Sequence, residues 1–345
     1  MISIKHHLGT GKTDVAVQIV ANLYHSFPTQ RTVIVTHSNA ALNDLFEKVM
    51  ARGDIDERYL LRLGSGERDL KTSSLHDFTK LGRVEHILSR RGALLEKVQL
   101  LSESLGVSGT SERGPDGSPS YTCETAAYFN LHHIQKRMQI FYANIDGYNE
   151  NKKVDDDIEK SFPFKAYFDI EDGKNPVTLK EAKYKFLEIE KIFNELAEYR
   201  PLELLRSQRQ RSDYLLTKQA RIVAMTCTHA AIARSHLIEV GFQYDNILME
   251  EAGQMLEVET FIPLLLQKSA NEEESSLCRL KRICLIGDHN QLPPVVKNLA
   301  FSKYSHLDQS LFSRLIRLGV PSILLNKQGR ARADIAKLYR YVVFF

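Results

Sequence analysis

HLGTGKT, residues His7 to Thr13, decides how the rest of this chain is read. Gly9, Thr10 and Gly11 let backbone N–H groups turn inward on a phosphate, and a helix starting just beyond them adds its positive dipole end. Lys12 then reaches the outer phosphates of a nucleotide, and Thr13 offers its hydroxyl to Mg²⁺. The full phosphate-loop pattern has a further glycine at position 6, where this chain carries His6. GTGKT by itself also fits a surface turn, so the hypothesis of a phosphate-binding loop depends on later residues supplying the remainder of a phosphate-hydrolysing site.

The flanks suit such a loop. Ile2 to Ile4 reads as the end of a strand and Thr13 to Tyr24 as a helix. RTVIVT at 31–36 and a helical pattern over Ala41 to Met50 make a second strand–helix unit. RIVAMT at 221–226, NILM at 246–249, RICLI at 282–286 and PSILLN at 321–326 are further apolar runs without alternation. Runs of that kind predict strands buried on both faces of a parallel sheet, hence an α/β fold.

A long insertion of different character separates these runs. Val84, Ile87, Leu94, Val98, Leu101 and Leu105 keep a three-four spacing, as do Leu131, Ile134, Met138, Phe141 and Ile145, and Phe186, Ile189, Phe193 and Leu196. Such stripes predict helices that pack on one another. GVSGTSERGPDGSPS at 106–120 reads as a flexible connection, and 149–173 as a polar, acidic stretch with an aromatic patch at Phe162 to Phe168. The expected organisation is one motor domain at 1–50 and 221–305, interrupted by a helical stalk over 51–220, with a second motor domain beginning at 306–345.

Composition narrows the function. The chain has 345 residues, 43% hydrophobic and 26% charged, and a formal net charge of +3. A globular core is expected, and no global basic field announces a nucleic acid, so any such partner must meet a local groove. The cysteines Cys123, Cys227, Cys278 and Cys284 form no CxxC pair, which points to reduced thiols of the cytosol or nucleus and away from zinc. No apolar run approaches the roughly 18 residues of a membrane span, and no membrane partner is expected.

Two acidic residues follow the strand NILM. Glu250 and Glu251 stand where α/β sheets bind ligands, one suited to holding Mg²⁺ and the other to orienting or deprotonating a water. After RICLI, the turn through Gly287 and Asp288 to Pro293 fixes Gln291 near the same edge, within reach of a γ-phosphate. Arg330 and Arg332 follow the last strand and offer guanidinium groups to phosphate. Taken singly, each of these is a solvated strand end or loop; their order along the chain raises them to a nucleoside triphosphatase site.

In that order, GTGKT at 9–13, VTHSN at 35–39, MTCTHAA at 225–231, MEEAGQ at 249–254, GDHNQLPPV at 287–295 and QGRAR at 328–332 resemble motifs I, Ia, Ib, II, III and IV of superfamily 1 helicases. More narrowly, the segments around them resemble the Dna2/Nam7-like branch and, within it, the intron-binding RNA helicases of the spliceosome. The resemblance implies a RecA-like P-loop NTPase sheet with a largely helical inserted stalk, and an ATP- and Mg²⁺-dependent RNA helicase of pre-mRNA splicing in the nucleus. Single-stranded intron RNA and spliceosomal proteins would be its partners. It assigns Gly9, Thr10, Gly11, Lys12 and Thr13 to ATP, Thr13 and Glu250 to Mg²⁺, and Glu251, Gln291 and Arg330 to catalysis. Thr36, His37, Ser38 and Asn39, with Thr226, Cys227, Thr228 and His229, would line the RNA through its phosphates.

The chain departs from the family in three ways: Glu250 stands where aspartate is usual, His6, His7 and Leu8 replace the glycine-proline entry of the loop, and motifs V and VI do not follow motif IV. The resulting expectation is a fragment of a helicase core, too truncated for full activity. Two other readings compete: a Dna2/Nam7-like helicase acting on another nucleic acid, and a non-catalytic spliceosomal scaffold with a vestigial nucleotide site.

Overall fold

The computed structural model of the protein describes residues 2–6, 11–66, 70, 77–107, 121–146, 161–169, 178–267, 279–325, 327, 329, 331–332 and 334–335. The chain divides into two compact units, one formed by Met1–Val84 with Ser212–Phe345 and the other by Glu85–Arg211.

The first unit is built on a seven-stranded sheet. Its strands are β1 (Ile2–His6), β2 (Thr32–Thr36), β3 (Leu60–Arg62), β4 (Ile222–Thr226), β5 (Asn246–Met249), β6 (Arg282–Gly287) and β7 (Ser322–Leu325), in the spatial order β3-β4-β2-β5-β6-β1-β7. All pairings are parallel, with Thr36 beside Thr226, Val35 beside Met249, Met249 beside Leu285 and Ile4 beside Ile286. The apolar runs are continuous because both faces are covered, and alternate residues serve different cores. Ile4, Ile34, Ile222, Leu248 and Ile286 pack with Val17, Val20, Leu42, Phe46 and Val49 on one face. Val33, Val35, Val223, Met225, Ile247, Met249 and Leu285 pack with Ala230, Leu237, Phe242 and Phe312 on the other. The helices behind these contacts are α1 (Lys12–Ser26) and α2 (Asn39–Ala51) for the first face.

This is the expected α/β class with the expected strands and one more, β3, and two strands fall outside the expected domain boundaries. The helical insertion expected over 51–220 contains β3 at Leu60–Arg62, which pairs with β4 at one edge of the sheet. The stretch 306–345 was read as opening a second motor domain, yet β7 is hydrogen-bonded to β1 as an edge of the first sheet. Both are edge strands of three or four residues, and pairing rather than sequence order places them.

The second unit is helical. It takes most of α3 (Lys80–Ser104), then α4 (Cys123–Phe129), α5 (Gln135–Asp146) and α6 (Leu179–Leu204), the last opened by a Thr178–Glu181 capping box. Ile87, Leu94, Val98 and Leu101 are buried as their spacing predicts, as are Ile134, Met138 and Phe141, and Phe186, Ile189, Phe193 and Leu196. Leu131 departs from its stripe and is 56% exposed. The cause is a π turn at Asn130–Ile134 between α4 and α5, which adds a residue and rotates Phe129 rather than Leu131 inward. The aromatic patch is core: Phe162 stacks on Phe186 at 5.5 Å between ring centroids, and Phe164 meets it edge-on at 5.7 Å. Arg90 pairs with Glu195 at 2.8 Å and Arg91 with Glu203 at 3.1 Å. Most of the expected Gly- and Ser-rich connection lies outside the described residues.

Candidate functional site

In a parallel sheet the carboxyl ends of all strands share one edge, so the loops after β1, β2, β4, β5 and β6 gather there whatever their distance in sequence. α1 begins at Lys12 behind Gly11, which takes φ +80° with no side-chain cap, a left-handed turn that suits glycine. Gly9 and Thr10 lie outside the described residues.

The first turn of α1 and the end of β5 meet. Thr13 Oγ1 donates to Glu250 Oε1 at 2.7 Å, joining residues 237 apart in sequence. Glu250 is 4% exposed, and its backbone N–H is held by Val35 O at 3.0 Å. Burial first, and then the neighbouring Glu251, push the Glu250 carboxyl above the usual glutamate range, while the Thr13 hydrogen bond and the Lys12 charge act in the opposite direction. Lys12, Thr13, Glu250 and Glu251 therefore share one electrostatic neighbourhood.

Glu251 itself takes φ +60°, a left-handed conformation that costs a non-glycine residue about 1–3 kcal/mol and that clusters at functional turns. The kink turns the chain sharply after β5, and Gln254 N closes it on Glu251 O at 2.9 Å. The next turn is pressed on the loop after β6: a Cβ at Gly253 would lie 2.6 Å from Asp288 O, and one at Gly287 would lie 2.8 Å from Gly253 N. Asp288, 7% exposed, accepts from Asn290 N at 3.0 Å and from Gln291 Nε2 at 2.8 Å. Gln291 is thus oriented by the Asp288 side chain and not only by the glycine turn and the prolines, and the close approach of the two loops needs Gly253 as well as Gly287. An Asp three residues before a Gln in a Gly-led turn was the available signal.

Gly253→Ala should be costly for this reason. Its methyl cannot avoid a backbone carbonyl, so the two loops must separate, with a stability loss of about 1–3 kcal/mol and a fall in any hydrolysis that relies on Gln291. Urea melts alongside phosphate release check both parts; a variant matching the parent in both would show that the loop contact is dispensable.

The other predicted residues divide. Thr36 is fully buried and donates to Ser38 O at 2.7 Å; Ser38 Oγ caps α2 by accepting from Ala41 N at 3.2 Å. Thr226 Oγ1 caps α7 (Cys227–Glu239) by accepting from His229 N at 3.2 Å. Cys227 is 2% exposed, with Sγ 3.5 Å from Met255 Sδ, and burial pushes its thiol up to about 12. The side chains of Thr36, Thr226 and Cys227 accordingly shape the edge, whereas His37, Asn39 and Thr228 are exposed on it and Ser38 and His229 half-exposed. Arg330 lies outside the described residues.

Burial first, then Lys80 and Arg62, hold His229 below the usual histidine range. Its neutral form is the one the fold favours, so stability is intact above the ordinary histidine pKa and falls as acidification carries the unfolded chain through that value towards the lowered folded one. Urea midpoints of the parent and His229→Gln across that window should converge on acidification; a constant gap would contradict the shift.

The fold and this edge define the RecA-like P-loop class, a parallel sheet in which the first turn of α1 meets an acidic strand end. The chain belongs to the AAA domain family, which matches residues 1–299. Among curated proteins it is similar to the mouse RNA helicase aquarius, 51% identical over 347 residues that cover 96% of this chain and 22% of that protein. It is similar also to the fission yeast pre-mRNA-splicing factor cwf11, 26% identical over 95% of this chain and 24% of that protein. Helicase SEN1 of budding yeast is 28% identical over 54% of this chain. The chain spans about a quarter of the length of the first two relatives, 22% and 24% respectively.

Proposed function

We propose that this chain is the ATP-hydrolysing core of an RNA helicase that binds pre-mRNA introns during splicing, working in the nucleus among spliceosomal proteins. The observation that carries the reading is the Thr13–Glu250 contact at 2.7 Å, which joins the first turn of α1 to the acidic strand end and supports a shared nucleotide site. The likeness to a protein named an RNA helicase and to one named a pre-mRNA-splicing factor supplies the substrate class and the setting.

Lys12 and the loop backbone hold the outer phosphates of ATP. Thr13 and Glu250 are hard oxygen donors of the kind Mg²⁺ takes, and a buried carboxylate beside Glu251 carries charge that a cation relieves; these residues would hold the metal. When bound, Mg²⁺ supplies charge neutralisation on the phosphates. Glu251 orients the attacking water and takes its proton, Gln291 contacts the γ-phosphate from the position Asp288 sets, and Arg330 adds positive charge to the transferred group. His37, Ser38, Asn39, Thr228 and His229 face the RNA phosphates, with Thr36, Thr226 and Cys227 behind them. The sheet unit is then one motor domain interrupted by the helical unit, and a second motor domain would begin beyond β7.

The test is phosphate release by the protein with single-stranded RNA or DNA of the same sequence, over a range of salt. RNA should stimulate turnover more than DNA does, and the concentration needed should rise steeply with salt, as phosphate contacts require. Equal stimulation by DNA, or none by RNA, would overturn the assignment of RNA as substrate.

A further inference from the structure

We infer that the segment Arg62–Gly66, which leaves the edge strand β3, is a clamp between the two helix starts proposed to line the RNA, those of α2 and α7, and that Arg62 is the positioning residue for Asn39. The inference rests on the RNA reading above and extends it to residues that none of the helicase motifs contains.

Arg62 is fully buried at the end of its strand, and a guanidinium in that position can only donate. It donates from Nη2 to Asn39 Oδ1 at 2.8 Å, from Nε to Asn43 Oδ1 at 3.2 Å and from Nη1 to Leu63 O. Because the fork is planar and rigid, these bonds fix the Asn39 amide: its oxygen must face Arg62, and its Nδ2 is turned the other way. Asn39 is exposed, so the end it presents is a donor, the polarity that a phosphate oxygen needs.

The rest of the segment ties this arrangement to the start of α7. Asn43 Nδ2 donates to Gly66 O at 2.8 Å, and a Cβ at Gly66 would lie 2.4 Å from Asn39 Cγ, so only glycine lets the chain pass. Leu63 N donates to Ala224 O at 2.8 Å on β4, the strand that leads to Thr226. Gly64, at φ +106°, sits against the His229 ring, where a Cβ would lie 3.2 Å from Cγ. One short stretch thus touches Asn39 at the start of α2 and His229 in the first turn of α7, fixing their separation along the edge.

A double-mutant cycle on RNA affinity separates positioning from general support. Arg62→Lys keeps the charge and loses the fork, and Asn39→Ala removes the group it holds. Fluorescence anisotropy with a labelled oligouridylate, at a temperature where melting curves show every variant folded, should give about a fivefold weakening for each single change, within the range of coupling between contacting residues. The double variant should bind no more weakly than the weaker single one. If the two losses multiply to about 25-fold, the residues act independently and Arg62 does not position Asn39. Arg62→Lys binding like the parent overturns the inference equally. Should Arg62→Lys fail to fold, Gly66→Ala perturbs the same contact from the other side and enters the same cycle in its place. A parent that binds no RNA would instead remove the RNA reading itself, and the clamp with it.

Discussion

Replacing Glu251 by glutamine is expected to leave ATP bound and to slow turnover by about 10²–10⁴, the span usual for loss of a general base. The amide has the shape of the carboxylate, so the kinked turn at φ +60° and its closing bond from Gln254 to Glu251 O persist. What is lost is basicity alone, at a point beside Glu250. Binding energy drawn from the phosphate loop is untouched, and a trapped, ATP-loaded protein results. Single-turnover phosphate release compared with nucleotide affinity checks this; hydrolysis at the parent rate would remove Glu251 from the base role.

Lys12→Ala should act on the other quantity. Lys12 is the first residue of α1, behind the left-handed Gly11, a position from which an ammonium and a helix N-terminus can address the same anion. A hydrogen bond to a charged group contributes about 1.5–3 kcal/mol, so its loss should weaken ATP binding by about 10- to 100-fold. Thermal shift with increasing Mg²⁺–ATP measures it, since ligand stabilisation follows site occupancy. An unchanged shift would mean that the outer phosphates lie elsewhere.

Much of this architecture was legible because buried parallel strands announce themselves: RTVIVT, RIVAMT and RICLI are apolar without alternation, and each is a strand of the sheet. Glu250 and Glu251 were legible for the same reason, as charges directly after NILM. β3 was not, since a strand of three residues ending in arginine carries no pattern. β7 is a strand as expected, but local sequence does not say that its partner is β1, some 320 residues earlier by register (Ser3 beside Ser322). Leu131 failed through backbone geometry, the π turn shifting its helix face. At the site, Thr36, Thr226 and Cys227 resembled strand-lining residues; Thr226 standing before a helix is equally an N-cap signal, and that is the use the fold makes of it. The close approach of Gly253 to Asp288 and the clamp around Arg62 depend on contacts between distant segments that no local pattern records.

The central claim is that Lys12, Thr13, Glu250 and Glu251 form one nucleotide site with separable binding and hydrolytic roles. Equilibrium binding of a fluorescent ATP analogue with Mg²⁺ to the parent, Lys12→Ala and Glu251→Gln tests it most directly. The parent and Glu251→Gln should bind alike, with Lys12→Ala weaker by about 10- to 100-fold. Three equal affinities, or no binding by the parent, would contradict a shared site.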